Sequence, residues 1–471
     1  MTASEQLYAE RLNRYVTAMR NGKPDKVPLR PFAAEFTARY AGMTCMEVTH
    51  DYTKAFEAVQ RCAADFDWDA IVANMVYVWT GLTQAIGLEY YAAPGIDIAP
   101  GVGFQYLEPP ENAAYMREDE YDALIANPVE FLFNTWLPRT SREVVPPGSP
   151  STFRNNLSFL KGGMAMLSYF SSFGPQLEAL RVQHGMPSAI AGILKAPMDI
   201  LADKLRGYRG LVNDLLLQPG KVKEACEALA PHQLAVALAG ADPDRNVPIT
   251  IWMHRGGVPF VTREHFETIY WPTLKPIIEN IWAQGYQTLF YAEGDWNTHL
   301  ESFAELPKGS IIYHVDKADI FEARKILGGR FCISGGVPNY LLAMGTPQEV
   351  RDRCKAVIDG VAGDGGFIMD ASAIMQNDAK PENVRAMTEA TREFGGYGTS
   401  ASTDPPPAAE VGGFTPTPMP EPSQTPGVCV PWAAKAKELG EIPGDPVLAK
   451  KVWEDVEALA YMYIWHCLES F

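Results

Sequence analysis

Short apolar runs alternate with longer amphipathic stretches along most of this chain, and that alternation predicts strands separated by helices. Eight runs qualify as strands: residues 27–32 (VPLRPF), 70–78 (AIVANMVYV), 188–194 (SAIAGIL), 247–253 (VPITIWM), 288–292 (TLFYA), 310–314 (SIIYH), 331–334 (FCIS) and 367–369 (FIM). Apolar positions at helical spacing fall at 4–21, 52–67, 175–183, 201–216, 221–239, 264–283, 320–327, 347–361, 381–394 and 447–468. Strands that are apolar throughout are buried on both faces, as in a parallel sheet wrapped by helices. Eight of them suffice to close a (β/α)8 barrel, so the predicted fold is α/β, a TIM barrel with an N-terminal helical extension. A doubly wound open sheet has the same alternation. No Rossmann glycine pattern follows the first strand, however, and no GxxxxGK[ST] loop occurs.

Residues 94–150 are rich in Gly, Pro and acidic groups and read as an insertion with a hairpin and surface loops. From 395 to 426 the composition changes to GGYGTSASTDPPPAAEVGGFTPTPMPEPSQTP, which has little to bury. The expected division is therefore a barrel over 1–396 and, over 397–471, a Pro-rich extension. That extension ends in a helix that packs on the barrel or on a partner subunit.

Composition narrows the function classes. The 471 residues carry a formal net charge of −17, which opposes binding to nucleic acid or to an anionic membrane surface. The opening residues lack the apolar core of a signal peptide, and no window is apolar enough to span a bilayer. Seven dispersed cysteines form no CxxC pair. The expectation is a cytoplasmic protein with free thiols.

Barrel enzymes carry their chemistry at the C-terminal ends of the strands. Those ends here read Asn74, Tyr77 and Trp79 after the second strand, and His254-Arg255-Gly256-Gly257 after the fourth. They read Glu293-Gly294-Asp295 after the fifth, His314-Val315-Asp316 at the sixth, Ser334-Gly335-Gly336 at the seventh and Asp370 at the eighth. Glu293 and His314 end adjacent strands, and a carboxylate and an imidazole are both acceptable zinc ligands. A catalytic zinc needs a third ligand, open among Glu279, Asp370 and His254. The blander reading is a solvated glutamate beside a hydrogen-bonded structural histidine. His254 reads as a proton donor to substrate, and Asp295 and Asp316 as supporting or loop-capping carboxylates. Trp252, Tyr291, Tyr77 and Trp79 are candidate walls for an aromatic substrate, with Asn74 beside them.

The stretch CISGGVPNYLLAMGTPQEVRDRCKAVIDGVAGDGGFIMDASAIMQNDAKPENVRAMTEA resembles the C-terminal half of the uroporphyrinogen decarboxylase superfamily. Its marks are the G-x-V-P turn, the GTPQEV helix start, the GGFI strand and the PENVRAM helix. KAPMDILADKLRGYRGLVNDLLLQPGKVKEACEAL is similar to the same superfamily, and the likeness extends over about 12–396. The superfamily's fold is a (β/α)8 barrel. Its decarboxylases carry an MRQAGR stretch, and VPLRPFAAEFTARYAG stands there instead, with Arg30 and Arg39. Its coenzyme M methylases carry zinc on an H-x-C-G motif, where this chain has Tyr291, Ala292, Glu293 and Gly294.

The chain is most similar to the methyltransferase I components of corrinoid-dependent aryl ether O-demethylases. Those bind zinc through Glu, Glu and His, with twenty residues between the second Glu and the His. Glu293 and His314 have that separation. The first Glu of the motif would fall on Ile278, and Glu279 is one place away. The resemblance implies metal ligands Glu293, His314 and, one place off the motif, Glu279; the catalytic candidates His254, Asp295 and Asp370 come from their places at the strand ends. The resemblance implies methyl transfer from a methoxylated, aromatic substrate to the Co(I) corrinoid (cobalamin) of a partner protein, in anaerobic metabolism, with a homodimer open to it. The alternatives it leaves are a decarboxylase-like lyase and methyl transfer from a corrinoid protein to tetrahydrofolate.

Overall fold

Six of the predicted strands form one parallel sheet in sequence order. They are β3 (Ile193–Lys195), β4 (Ile249–Met253), β5 (Thr288–Ala292), β6 (Ile311–Val315), β7 (Cys332–Val337) and β8 (Phe367–Ala371). Every residue of β4 to β8 is buried, as expected for staves covered by helices outside and filled by side chains inside. The computed structural model of the chain describes residues 2–72, 78–110, 113–372, 374–402 and 404–469, and of residues 78–80 the backbone only.

Two shorter staves complete the (β/α)8 ring. Residues 27–30 lie against β8, where Leu29 bridges Met369, Arg30 N donates to Met369 O at 3.1 Å and Met369 N to Pro28 O at 2.9 Å. Asp69 N donates to Leu29 O at 2.8 Å, and Ile71 bridges Ser188 just before β3. These staves lack a continuous ladder for a reason visible in VPLRP. Pro28 and Pro31 have no N–H to donate, so pairing on either side is intermittent. The predicted strand over 70–78 runs into residues outside the described set.

Helix α1 (Ala3–Met19) plugs the N-terminal end of the barrel. Its capping box pairs Thr2 with Glu5, and Tyr15, Val16, Ala18 and Met19 pack on Trp252, Leu289, Tyr291 and Ile312 inside the ring. Gln287, just before β5, donates to Met19 O, and Gly366 N, just before β8, donates to Gly22 O. A hairpin forms at the start of the insertion, with β1 (Tyr91–Ala92), just before the predicted bound at 94, antiparallel to β2 (Gln105–Tyr106). Helix α2 (Phe153–His184) is far longer than the 175–183 expected from sequence, and Pro175 lies inside it. Gly162–Gly163 and the serines at 168, 171 and 172 blur its apolar periodicity, so the first two-thirds of it do not read as helix.

Helices α3 (Pro219–Ala239) and α4 (Trp271–Ala283) pack side by side on the outside of the sheet. The Pro-rich segment runs over the surface of the same chain. Gly412 N donates to Ala283 O, and Thr417 N to Glu279 Oε2. Helix α5 (Pro446–Glu469) buries Tyr461, Ile464, Trp465 and Leu468. Tyr461 hydrogen-bonds His232 at 2.8 Å, Trp465 stacks on His232 at 4.9 Å, and Tyr90 donates its hydroxyl to Cys467 O at 2.7 Å. No helix among the described residues is long and apolar enough to cross a membrane.

Candidate active site

A cavity of about 380 Å³ opens at the C-terminal mouth of the barrel. Lys195 enters it from the end of β3, His254 and Arg255 from the turn after β4, Glu293 from β5 and Asp316 from the turn after β6. The hairpin lays Tyr91 and Tyr106 over one side, and Phe260 and Gln376 complete the wall.

Two carboxylates organise this mouth, and both come from the segment after β3. Asp199, in the first turn of Pro197–Ile200, accepts from the backbone N–H of His254 at 2.9 Å and of Arg255 at 2.8 Å. Tyr270 donates to it as well, at 3.1 Å. Burial pushes the Asp199 carboxyl up. Asp203, in the π-helical turn Leu201–Leu205, accepts from Arg255 Nε at 2.8 Å, pairs with His254 Nδ1 at 2.8 Å and with Lys195 Nζ at 3.3 Å. Burial would raise the Asp203 carboxyl, but the charges of Lys195, His254 and Arg255 hold it well below the usual range. A carboxylate on Nδ1 fixes the imidazole's orientation and tautomer. His254 Nε2 is buried without a hydrogen-bond partner, and the nearest charged group is Glu293 Oε2, 3.8 Å away.

The EGD exit of β5 has a local explanation. Gly294 sits at φ 93°, a left-handed conformation that glycine adopts at little cost, and its N–H turns toward Asp316 Oδ2 at 2.8 Å. Burial, and then the charge of Glu293, push Asp316 up to about 6. Asp295 does not face the cavity: its Oδ1 caps Asn297 N at 3.0 Å and its carbonyl accepts from Val258 N, so it closes a loop rather than acting on substrate.

Several other predicted site residues stand elsewhere. His314 lies within β6, in register with Tyr291, on which it stacks at 4.2 Å. Glu293 is two residues farther along its stave, about 7 Å beyond the level of His314. His314 is spent inside the barrel, with Nε2 on Ser372 O at 2.8 Å and Nδ1 facing Ser334 Oγ at 3.2 Å. Burial and Arg30 hold it far below the usual histidine range. Glu279 is on α4, outside the ring, where it accepts from Thr417 N. Asp370 is sealed in the interior beside Arg30 at 3.1 Å, and burial pushes it up to about 7. Trp252 and Tyr291 pack with Phe32 as barrel filling beneath the cavity, not as its wall. Asn74, Tyr77 and the side chain of Trp79 fall outside the described residues.

These positions decide the fit of zinc. Glu293, His314 and Glu279 occupy three separate places, and among the described residues no group of three His, Cys, Asp or Glu side chains is arranged to hold a metal ion. The donor set inferred from motif spacing does not fit. The residues that sequence reasoning missed are Lys195, Asp203, Tyr91 and Tyr106. A signal for one was present: in KAPMDILAD, Asp199 and Asp203 stand four apart in an apolar helical run, where two carboxylates on one face need partners.

No curated protein matches the chain. A methyltransferase from Methanosarcina mazei has a similar structure, with a TM-score of 0.55 at 15% identity, covering 81% of this chain and 98% of that one. Residues 170–394 match the family Uroporphyrinogen decarboxylase (URO-D), a span that runs from α2 to the end of the helix after β8. That match spans just under half of the chain, and a barrel built stave by stave with polar groups gathered at its C-terminal mouth agrees with the likeness of this part to the uroporphyrinogen decarboxylase family.

Proposed function

We propose that this chain transfers a methyl group from a methoxylated aromatic compound to the Co(I) corrinoid of a separate partner protein, and so demethylates an ether. The observation that carries the reading is the Asp203–His254 pair: His254 lines the mouth cavity, and its buried Nε2 has no hydrogen-bond partner and lies 3.8 Å from Glu293 Oε2. The structural likeness to a methyltransferase supports it. A cavity of this size takes a single substituted ring, and Tyr91, Tyr106 and Phe260 supply aromatic surface for one.

An aryl ether loses its methyl group when the carbon–oxygen bond breaks and the electron pair stays on oxygen. His254 Nε2 donates a proton to that oxygen, which turns a poor phenolate leaving group into a phenol. Asp203 holds the ring in the orientation that presents Nε2, and Lys195 and Arg255 hold Asp203. Glu293, a third exposed and 3.8 Å from Nε2, returns the proton from solvent for the next turnover. The corrinoid, delivered by its own protein to the open mouth, supplies the low-valent metal nucleophile that accepts the methyl group. No step is assigned to zinc, because the proposed ligands do not converge.

A decarboxylase-like role has less support. Arg30 is fully buried and engaged inside the ring, Arg255 is matched by Asp203, and Arg39 donates to Asn377 O and does not line the mouth cavity, so none of the three is placed to meet a polycarboxylate there. Nothing observed favours the folate reaction. The test is spectroscopic. Purified protein, cob(I)alamin and a panel of methoxyarenes should give loss of the Co(I) absorbance, and His254→Ala should slow it by about 10²–10⁴. The reading fails if no methoxyarene drives that loss, or if His254→Ala leaves the rate unchanged.

A further inference from the structure

A second cavity, larger than the one at the mouth, lies elsewhere on the barrel. A cleft of about 730 Å³ lies on the opposite, N-terminal side, beside the stave that becomes β3 and the loop that leads into β4. It shares no lining residue with the mouth cavity. Its walls are α1 (Tyr8, Leu12), α2 (Tyr169, Phe173) and α5 (Met462, His466). Tyr169 and Phe173 meet edge to face at 4.9 Å, so the aromatic wall is already packed rather than collapsed into the space. A volume of this size lined mainly by apolar and aromatic groups, with a few polar ones, has the make-up of a small-molecule site.

The rim sets the charge of what enters. Glu178, Asp242 and Asp244 stand there with a single cation, Arg181, which is already paired with Glu178 at 2.6 Å. The field reaches the wall: burial raises the Tyr8 hydroxyl, Arg181 lowers it, and Asp242, Asp244 and Glu178 raise it again. His466 adds no charge at neutral pH, since burial takes it down to about 4. An anion would meet an excess of carboxylates in partly dry surroundings.

We propose that this cleft is a second ligand site, distinct from the catalytic mouth, and that it takes a flat apolar molecule that is neutral or cationic.

Two dyes that share one ring system separate the alternatives: N-phenyl-1-naphthylamine, which is neutral, and 1-anilinonaphthalene-8-sulfonate, which is anionic. Titrated into the full chain, the neutral dye should give a saturable fluorescence gain at one site, with the sulfonate at least about tenfold weaker. Gly174 lies on the wall, and a Cβ there would meet nothing within 4 Å, so Gly174→Phe places a ring at this wall with no clash at its Cβ. That variant should lose at least about tenfold in affinity for the neutral dye while unfolding no earlier than the parent. Ala239→Trp, from the end of α3, obstructs the cleft from another wall and should do the same. His254→Ala should bind the dye as the parent does. The proposal is overturned if the neutral dye shows no saturable binding below about 100 µM. It is equally overturned if both cleft variants, folded, bind it unchanged, or if the sulfonate binds as tightly.

Discussion

Asp203→Asn is the sharpest perturbation of the mouth, because it keeps the side chain's shape and removes only its charge. Asp203 is the single carboxylate shared by Lys195 Nζ (3.3 Å), His254 Nδ1 (2.8 Å) and Arg255 Nε (2.8 Å). With an amide there, either imidazole tautomer can be hydrogen-bonded, and the protonated ring loses its counter-charge. If His254 is the proton donor, kcat should fall by about 10²–10⁴, or roughly 3–5 kcal/mol of transition-state stabilisation, with KM changed little. Stability should fall too, since removing one partner of a buried charge cluster costs about 3–5 kcal/mol. The lower end is expected, because Arg255 keeps its contact over the Phe260 ring at 4.9 Å and can reach solvent. The assay is single-turnover loss of cob(I)alamin absorbance with a saturating methoxyarene, run beside thermal unfolding. Combining Asp203→Asn with His254→Ala should be no slower than His254→Ala alone, since the two residues act as a unit. A folded Asp203→Asn protein with kcat within about threefold of the parent, or a double variant in which the two losses multiply, would refute the dyad.

Glu279→Gln should leave kcat unchanged and cost about 1–2 kcal/mol, because it replaces a charged acceptor by a neutral one in a single buried contact with Thr417 N, outside the ring; a hundredfold loss of kcat would restore Glu279 to the site. Asp316 predicts a pH signature. Its carboxyl, raised from 3.8 to about 6, binds its proton more tightly folded than unfolded, so that stabilisation is complete below about pH 4 and is lost as pH rises through 6. Between those values the parent should therefore lose about 1–2 kcal/mol relative to Asp316→Asn, after allowing for partial solvation. Parallel denaturation midpoints for the two proteins across that range would show the shift is absent. Trp465→Ala should destabilise by about 3–5 kcal/mol in urea unfolding, as it removes a fully buried ring from His232. A cost below about 1 kcal/mol would mean that α5 is not docked in solution.

The staves were legible because a parallel barrel demands apolar runs of few residues between helices, and 288–292 could be read without neighbours. Helix α2 was not, because its glycines and serines carry no strong periodicity and Pro175 looks like a helix start. At the site, His254 and Glu293 were found from their place just past a strand end. Lys195 and Asp203 were missed because their meeting depends on how β3 turns into the helix that follows, a tertiary fact that no spacing shows. Glu293 with His314 was the instructive error. Spacing along the chain matched a motif, but register sets which residues share a level. Tyr291, not Glu293, is level with His314.

That level difference sorts the charged groups of the barrel into two floors with different work. The lower floor holds Arg30, His314, Ser334 and Asp370, all fully buried. Arg30 belongs to the stave whose prolines prevent a regular ladder, and its Nη2 donates to Ser334 Oγ at 2.7 Å, pairs with Asp370 at 3.1 Å and approaches His314 Nδ1 at 3.4 Å. One side chain thus ties the first stave to β8, the neighbour it must meet for the ring to close, and across the interior to β6 and β7. A buried ion pair is weak evidence of stability in itself, but deleting either partner strands a charge in the dry interior. The pair therefore fixes which strands are neighbours. The upper floor, Lys195, Asp203, His254 and Glu293, faces a cavity and leaves one imidazole nitrogen uncommitted. Charge at a barrel strand end is thus ambiguous in sequence: His314 and Asp370, within their strands, serve closure, whereas His254 and Glu293, just past theirs, face the cavity.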